Sequence, residues 1–352
     1  MPSKKRCLMI GGGGMAGSWI RRFFPNFADR LEVVGLVDVA PAVLAASGDF
    51  LGLPANRRYT SLAQAFDEVD ADFCAIVIPP AYHREAVLHA VRRGMPILSE
   101  KPIADTWEAC GDVYRAVTGA GLKMQVIQNY RYNVPMLTMR QVLRSGTLGR
   151  INYVVARFAA DYREYGAWGA IFRHEIPHAL LIEGAVHHFD MLRNLTGGDC
   201  ATIAGWEWNP AWSSSKGEFC NLYLLGMTNG VRTVYEGNGT AGGEQNNWHE
   251  EYYRAECENG AVTVGRDHIV RIHRFKRGGG LVVEEVPPVS TPYEGHNYLI
   301  DEFLTWLDGG PTPATVLDDN VKSVAMVFGA IEASRTGQVV NVEEMVRGVG
   351  VG

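Results

Sequence analysis

Positive charge is in short supply in this chain. Its 33 lysines and arginines stand against 39 aspartates and glutamates, a formal net charge of −6 at pH 7, and no long basic run appears. Nucleic acid and anionic membrane surfaces demand the opposite balance, so neither is an expected partner. Long hydrophobic runs are missing as well, and nothing approaches the ~20 apolar residues of a spanning helix. Lys4-Lys5-Arg6 before Cys7-Leu-Met-Ile imitates the start of a signal peptide, but four apolar residues are too few and glycines follow at once. The six cysteines, at 7, 74, 110, 200, 220 and 257, form no C-x-x-C pair. Reduced, mostly buried thiols in a cytoplasmic protein are the expectation. Internal repeats and low-complexity segments are absent too.

Glycine, by contrast, is plentiful, and four glycines stand together after a short apolar run, Cys7 to Ile10. Only Gly12, Gly14 and Gly17 complete G-x-G-x-x-G, with Met15 and Ala16 between the last two. The motif predicts a tight turn at Gly12, a close backbone approach to a pyrophosphate at Gly14, and close helix–strand packing at Gly17. A diphosphate then sits on the helix N-terminus, where free N–H groups and the helix dipole favour an anion. Leu31 to Asp38 reads as the next strand, ending in a carboxylate about 20 residues past the last glycine, as a ribose-binding acid requires. Strand, glycine turn, helix, strand and acid together point to a dinucleotide, with Asp38 favouring NAD over NADP by repelling a 2′-phosphate.

The first helix is expected over Gly17–Phe24, stopped by Pro25. Phe73–Ile78 lacks alternation, as a buried parallel strand does. Together with the strands at 96–99 and 122–128 and intervening helices it gives a doubly wound Rossmann domain over residues 1–128. The grammar changes near Asn129. Asn229-Gly230 and Asn259-Gly260 lie between β-rich runs and signal hairpins. Residues 129–352 therefore read as an α+β domain with a mostly antiparallel sheet, closed by helices at 296–307 and 318–335. An aromatic and charged loop from Asp161 to Pro177 is long enough to suggest function.

Two places carry groups suited to catalysis. Lys101 follows the strand ending at Ser99, and ligands of such sheets bind beyond the carboxyl ends of the strands. Glu100 offers it a charge partner, and Pro102 fixes the turn. The predicted helix Pro177–Leu195 is apolar except for Glu183, His187, Asp190 and Asn194, whose spacings of four, three and four share one α-helical face. Histidine titrates near neutrality, and an acid one turn back can hold its tautomer. His174-Glu-Ile-Pro-His178 spells H-E-x-x-H, but Pro177 is expected to start the helix and leave His174 outside, so no metal site is assigned. The tryptophans at 206, 208, 212 and 248 are expected in core packing or a subunit face.

Ile78-Pro79-Pro80-Ala81-Tyr82-His83, with Gly94 through Ser99-Glu100-Lys101-Pro102, resembles the glucose-fructose oxidoreductase / inositol dehydrogenase / rhizopine-catabolism family. Glu183-Gly-Ala-Val-His187-His-Phe-Asp190 resembles that family's acid-x-x-x-His helix, and Phe303, Ala330–Ser334 and Gly337 fit its tail. The likeness spans essentially the whole chain. It implies an NAD(P)-dependent enzyme that oxidises a ring CH–OH of a sugar, sugar derivative or cyclitol. Ile78, Pro79, His83, Glu100 and Lys101 would then border the cofactor. Lys101 would touch the reacting hydroxyl and His187 exchange its proton. Tyr162 and Arg173 occupy the stretch where the family gathers substrate contacts, together with Lys101, Glu183 and His187. A large open sheet in the second domain, used for homo-oligomerisation, is implied too. Glu183 departs from the family's usual aspartate. Two other activities share these features: a glycosidase that works by transient ring oxidation and elimination, and a nucleotide-binding sensor without catalysis.

Overall fold

The computed structural model describes residues 4–351. Its first six strands are β1 (Lys5–Ile10), β2 (Leu31–Val37), β3 (Arg58–Tyr59), β4 (Phe73–Ile76), β5 (Ile97–Ser99) and β6 (Met124–Val126). They pair in parallel in the order β3-β2-β1-β4-β5-β6, the doubly wound order of a dinucleotide-binding domain. β4 and β5 are buried at every position, because helices cover both faces of such a sheet. Side-chain caps set helix starts: Ser61 accepts from Gln64, and Thr106 from Ala109.

The helix after the glycine turn departs from expectation. It begins at Gly14, becomes π-helical over Trp19–Phe23, and passes into a 3₁₀ turn, Phe24–Phe27, that holds Pro25 within it. Proline is tolerated there because the first N–H groups of a helical turn have no intrahelical acceptor.

The remaining strands are β7 (Ile151–Ala159), β8 (Cys200–Trp208), β9 (Cys220–Met227), β10 (Arg232–Asn238), β11 (Tyr252–Cys257), β12 (Gly260–Val264), β13 (Arg271–Lys276), β14 (Gly280–Glu285) and β15 (Val340–Asn341). They form one sheet in the order β14-β13-β12-β11-β7-β10-β9-β8-β15. β7 and β10 run parallel, and the other pairs are antiparallel. Both asparagine–glycine turns join antiparallel neighbours, β9 to β10 and β11 to β12. One face of β8 and β9 is uncovered: Trp206 stands opposite Leu222, and both are exposed, as are Trp208 and Leu224.

The chain divides into two compact units, residues up to Ile127 with His296–Val321, and Gln128–Gly295 with the residues from Lys322 on. A single boundary at 128/129 therefore leaves out a return of the chain. Phe303 packs edge-on to Phe73, Val126 N–H donates to Thr315 at 3.0 Å, and Tyr114 Oη donates to Asp318 at 2.8 Å. The late segment supplies apolar surface and hydrogen bonds that β4 and β6 cannot find within the first 128 residues.

The second unit is organised around a buried ion pair. Arg131, on the 3₁₀ turn Asn129–Tyr132, reaches Asp190 through Nε and Nη2, both at 2.6 Å, with the side chains 6% and 0% exposed. Asp190 also accepts from Ser323 at 2.6 Å, and Ser323 accepts from Arg193 at 2.7 Å. Arg193 and Lys322 then share Asp199 at 2.6 and 2.9 Å. Asp190→Asn keeps the size and removes the charge that compensates a buried guanidinium. It should lower unfolding free energy by about 3–5 kcal/mol, read from the urea midpoint. A loss below about 1 kcal/mol would show that the pair is dispensable.

Candidate active site

Three loops leave the carboxyl ends of adjacent parallel strands, β1, β4 and β5. At the first, the tight turn falls one residue earlier than the motif predicts. Gly11 has φ +104, and a Cβ there would lie 2.1 Å from the Val77 carbonyl oxygen. Gly12 instead packs beneath Val43 and Asp38, and Gly14, at φ +52, has open space where a side chain would stand. Gly12, Gly14, Gly17, Arg21, Val43 and Ser47 line a cavity of about 430 Å³. Met15 is exposed at this turn, whereas Ala16 is buried beneath it.

Asp38 accepts from the N–H groups of Gly12 and Ala40, each at 2.8 Å. An ionised carboxylate takes about four hydrogen bonds, so two acceptor positions remain for ribose hydroxyls. The first two arginines downstream of Asp38 turn elsewhere, Arg58 to Leu53 and Asp49, Arg57 to the Glu68 carbonyl. A bare glycine turn, an open approach at Gly14 and a carboxylate with spare acceptors together fit a dinucleotide.

The second and third loops are tied to each other by His83. Its ring nitrogens meet the carbonyls of Ile78 and Pro102, both at 2.8 Å, and the side chain has no exposed surface. The ring fixes the backbone on which Ile78, Pro79 and Lys101 stand. Glu100 is buried and accepts from Trp19 at 2.9 Å, with His296 at 3.1 Å. Burial by itself pushes the Glu100 carboxyl up, but His296, Lys101 and Trp19 outweigh it and hold it below the ordinary glutamate value. Lys101 thus leaves β5 beside a carboxylate kept ionised.

In the second unit the predicted helix starts three residues late and is not uniform. His178 has φ +54, a π-helical segment spans Leu180–Ala185, and an α-helix spans Val186–Thr196. The left-handed residue after Pro177 breaks the helical path, so the proline precedes the helix rather than opening it. Glu183 therefore lies on the wider π turn, and the four polar residues do not share one regular α-helical face. Glu183 Oε2 accepts from Arg173 Nε at 3.0 Å. Asp190 belongs to the buried ion pair, and Asn194 accepts from Arg140 at 3.1 Å.

His187 is buried, and its ring stacks on Tyr130 with centroids 4.5 Å apart and planes 10° apart. Tyr130 Oη donates to Glu251 at 3.0 Å, and burial pushes the phenol well above its usual range. His188, one residue on, lies between Tyr235 Oη at 2.8 Å and Glu251 at 3.4 Å. Stacked and tilted rings continue through Phe158 and Trp248 to Trp168. Tyr162 belongs to that core: it is 6% exposed and stacks on Trp168 at 5.2 Å. Phe158 and Phe219 also approach its ring, so Tyr162 packs within this cluster. Arg173 keeps partial exposure while bound to Glu183 and the Trp168 carbonyl. His174 is fully buried against the Tyr162 carbonyl and does not meet His178.

The description "Oxidoreductase family, NAD-binding Rossmann fold" matches residues 5–128, and "GFO/IDH/MocA C-terminal domain" matches residues 136–263. A Sinorhizobium fredii protein, "Uncharacterized protein y4oX", is 42% identical over 99% of this chain and 98% of its own. The chain belongs to the Gfo/Idh/MocA oxidoreductase family. D-apiose dehydrogenase of Paraburkholderia graminis is 23% identical over 90% of this chain and 84% of its own. Inositol 2-dehydrogenase of an Arthrobacter species is 25% identical over 97% of both chains. The crystal structure of an Agrobacterium radiobacter oxidoreductase with NAD+, L-tartaric acid and magnesium shares the fold at TM-score 0.83, with 21% identity, 97% of this chain and 100% of that one.

As a Gfo/Idh/MocA oxidoreductase, the protein has an NAD-binding domain and, among the described residues, no helix long and apolar enough to cross a membrane. The sequence reading missed Tyr130 and Glu251, although Asn129-Tyr-Arg-Tyr132 directly follows a strand end, where a ligand-facing cluster is expected. Glu251 gives no local signal, because only the pairing of β11 with β7 fixes the segment it leads into. Asp38 should make the protein bind NADH more tightly than NADPH in a fluorescence titration. Tighter NADPH binding would overturn the assignment of its spare acceptors to ribose hydroxyls.

Proposed function

We propose that the protein is an NAD-dependent dehydrogenase that oxidises a ring hydroxyl of a sugar, sugar derivative or cyclitol. The observation that carries this reading is the pairing, in one chain, of a nucleotide turn with Lys101 beyond β5 and His187 held by a ring stack. The names of the apiose and inositol dehydrogenases support the substrate class. Bound NAD supplies the hydride acceptor. Gly12, Gly14, Met15, Ala16, Gly17 and Asp38 hold its adenosine and diphosphate side, and Ile78, Pro79, Glu100 and Lys101 border the other end. Lys101 donates to the hydroxyl oxygen as negative charge develops there, and His187 takes the hydroxyl proton. Glu183 fixes Arg173, which presents its remaining N–H groups to substrate hydroxyls, and stands one helical turn before His187. Six free thiols, five of them buried, support a reducing, cytoplasmic location.

A panel of sugars and cyclitols with NAD, followed by nicotinamide absorbance and by free-sugar release together, tests this. Reduction without release is expected. Release without net reduction would favour the glycosidase, and neither signal the sensor. His187→Ala should lower turnover by about 10² to 10⁴-fold and leave NADH binding intact. Lys101→Ala should lower turnover too, and Glu183→Gln should fall between the wild type and His187→Ala. Full turnover in a folded His187→Ala protein would make the histidine a packing residue.

We also infer a homo-oligomer formed through the uncovered face of β8 and β9. Trp206, Leu222 and Leu224 are 64%, 48% and 64% exposed there, a contiguous apolar stripe that symmetric copies can cover. Light scattering should give a multiple of the 38.7 kDa chain mass. A monomer at working concentration would remove the inference.

A further inference from the structure

The H-E-x-x-H spelling fails as a zinc motif, yet one of its histidines meets two carboxylates from elsewhere in the chain. His178 Nδ1 lies 2.6 Å from Glu207 Oε1 and 3.5 Å from Glu218 Oε2. The three candidate ligand atoms fall within 4.8 Å of one another. Each comes from a different element. His178 precedes the π-helical segment, Glu207 lies near the end of β8, and Glu218 lies just before β9.

The backbone around them is closely built. His178 N–H donates to Glu218 Oε2 at 2.7 Å, Leu180 N–H to the Glu218 carbonyl at 3.2 Å, and Lys216 N–H to the His174 carbonyl at 2.8 Å. A Cβ at Gly217 would stand 2.0 Å from the Ile176 carbonyl oxygen, so only glycine lets the two segments approach. The Glu207 backbone is held as well, its N–H donating to Ser334 Oγ at 3.0 Å.

A second, independent observation points to a ligand. The Glu207 side chain is only 4% exposed, and its Oε2 has no hydrogen-bond partner among the described residues. A buried carboxylate oxygen left without a partner has lost its hydration with nothing in exchange. The oxygen belongs to the same carboxylate that faces His178, so a cation held by this carboxylate would compensate it. His178 and Glu218 are each about one-third exposed, which leaves an entry path and room for water ligands.

We propose that His178, Glu207 and Glu218 form a binding site for a divalent transition-metal ion of the zinc type. One imidazole nitrogen and two carboxylates with open positions suit such an ion better than magnesium, which prefers oxygen alone. Ligand bonds of ~2.0–2.2 Å place tetrahedral ligand atoms about 3.3–3.5 Å apart. The His178–Glu218 separation already matches, and the His178–Glu207 contact opens by under about 1 Å. Two carboxylates and a neutral imidazole carry two negative charges, which one divalent ion balances. The ion is structural: it clasps the segment that leads to Glu183 onto the ends of β8 and β9.

Full-length protein stripped with chelator and titrated with Zn²⁺ by calorimetry tests this, with metal content read by mass spectrometry after desalting. One zinc per chain is expected, together with a rise in melting temperature, since a ligand of the folded state stabilises it by mass action. His178→Asn suits the left-handed backbone at φ +54 and removes the imidazole. His178→Asn and Glu207→Gln should each weaken binding on the order of 100-fold. The exposed His268→Ala should leave it unchanged. If either variant fails to fold, Glu218→Gln, at a partly exposed position, replaces it. No stoichiometric zinc at ~100 μM, or binding that survives all three ligand substitutions, overturns the site and leaves a histidine–glutamate ion pair. Neither result bears on the dehydrogenase reading, which the substrate panel tests separately.

Discussion

The second unit depends on the buried pair of Arg131 and Asp190. Taking a guanidinium and a carboxylate out of water is costly, and attraction repays it only with good geometry and further hydrogen bonds. Both conditions are met here, by a two-pronged contact and by Ser323 as an additional donor to Asp190. The pair also sets the chemistry. Arg131 is the sequence neighbour of Tyr130, and Asp190 lies three residues, nearly one turn, beyond His187. The 3₁₀ turn and the helix that the ion pair joins are therefore the two elements whose rings stack. A shift of one against the other that broke the pair would also move the imidazole.

Much of this was readable in the sequence, for identifiable reasons. A parallel sheet demands uninterrupted apolar runs, and its nucleotide turn demands glycines at short fixed spacing. Both are local patterns, so β1, β2, β4, β5 and β6 could be placed from the chain alone, whereas the two-residue β3 carries no such run. Hairpins announced by Asn-Gly gave two antiparallel pairs. The strand order of the larger sheet was not readable, because β7 pairs with strands about 80 to 100 residues later and no short motif specifies such partners.

Side-chain roles failed where the helix geometry changed. Spacing arguments about Glu183, His187, Asp190 and Asn194 assume a regular α-helix, and a left-handed residue followed by a π turn breaks that assumption. Tyr162 and His83 were expected near ligands only through the family resemblance. In the fold, packing on Trp168 and two backbone carbonyls respectively account for their rings. A polar residue in a suspect loop is evidence of a site only once its own burial and partners are known.

The return of His296–Val321 to the first unit bears on how the chain is made. A ribosome releases residues in order, so the glycine turn and all six strands of the first sheet emerge long before Phe303 and Thr315 exist. Until then the surface of β4 that Phe303 covers stays wet, and Val126 N–H lacks its acceptor. The nascent first domain must wait through the synthesis of the whole second sheet before it is complete. A fragment ending near residue 128 carries every nucleotide-turn residue and still lacks part of its own core, so genetic exchange of this domain requires two separate segments and three junctions.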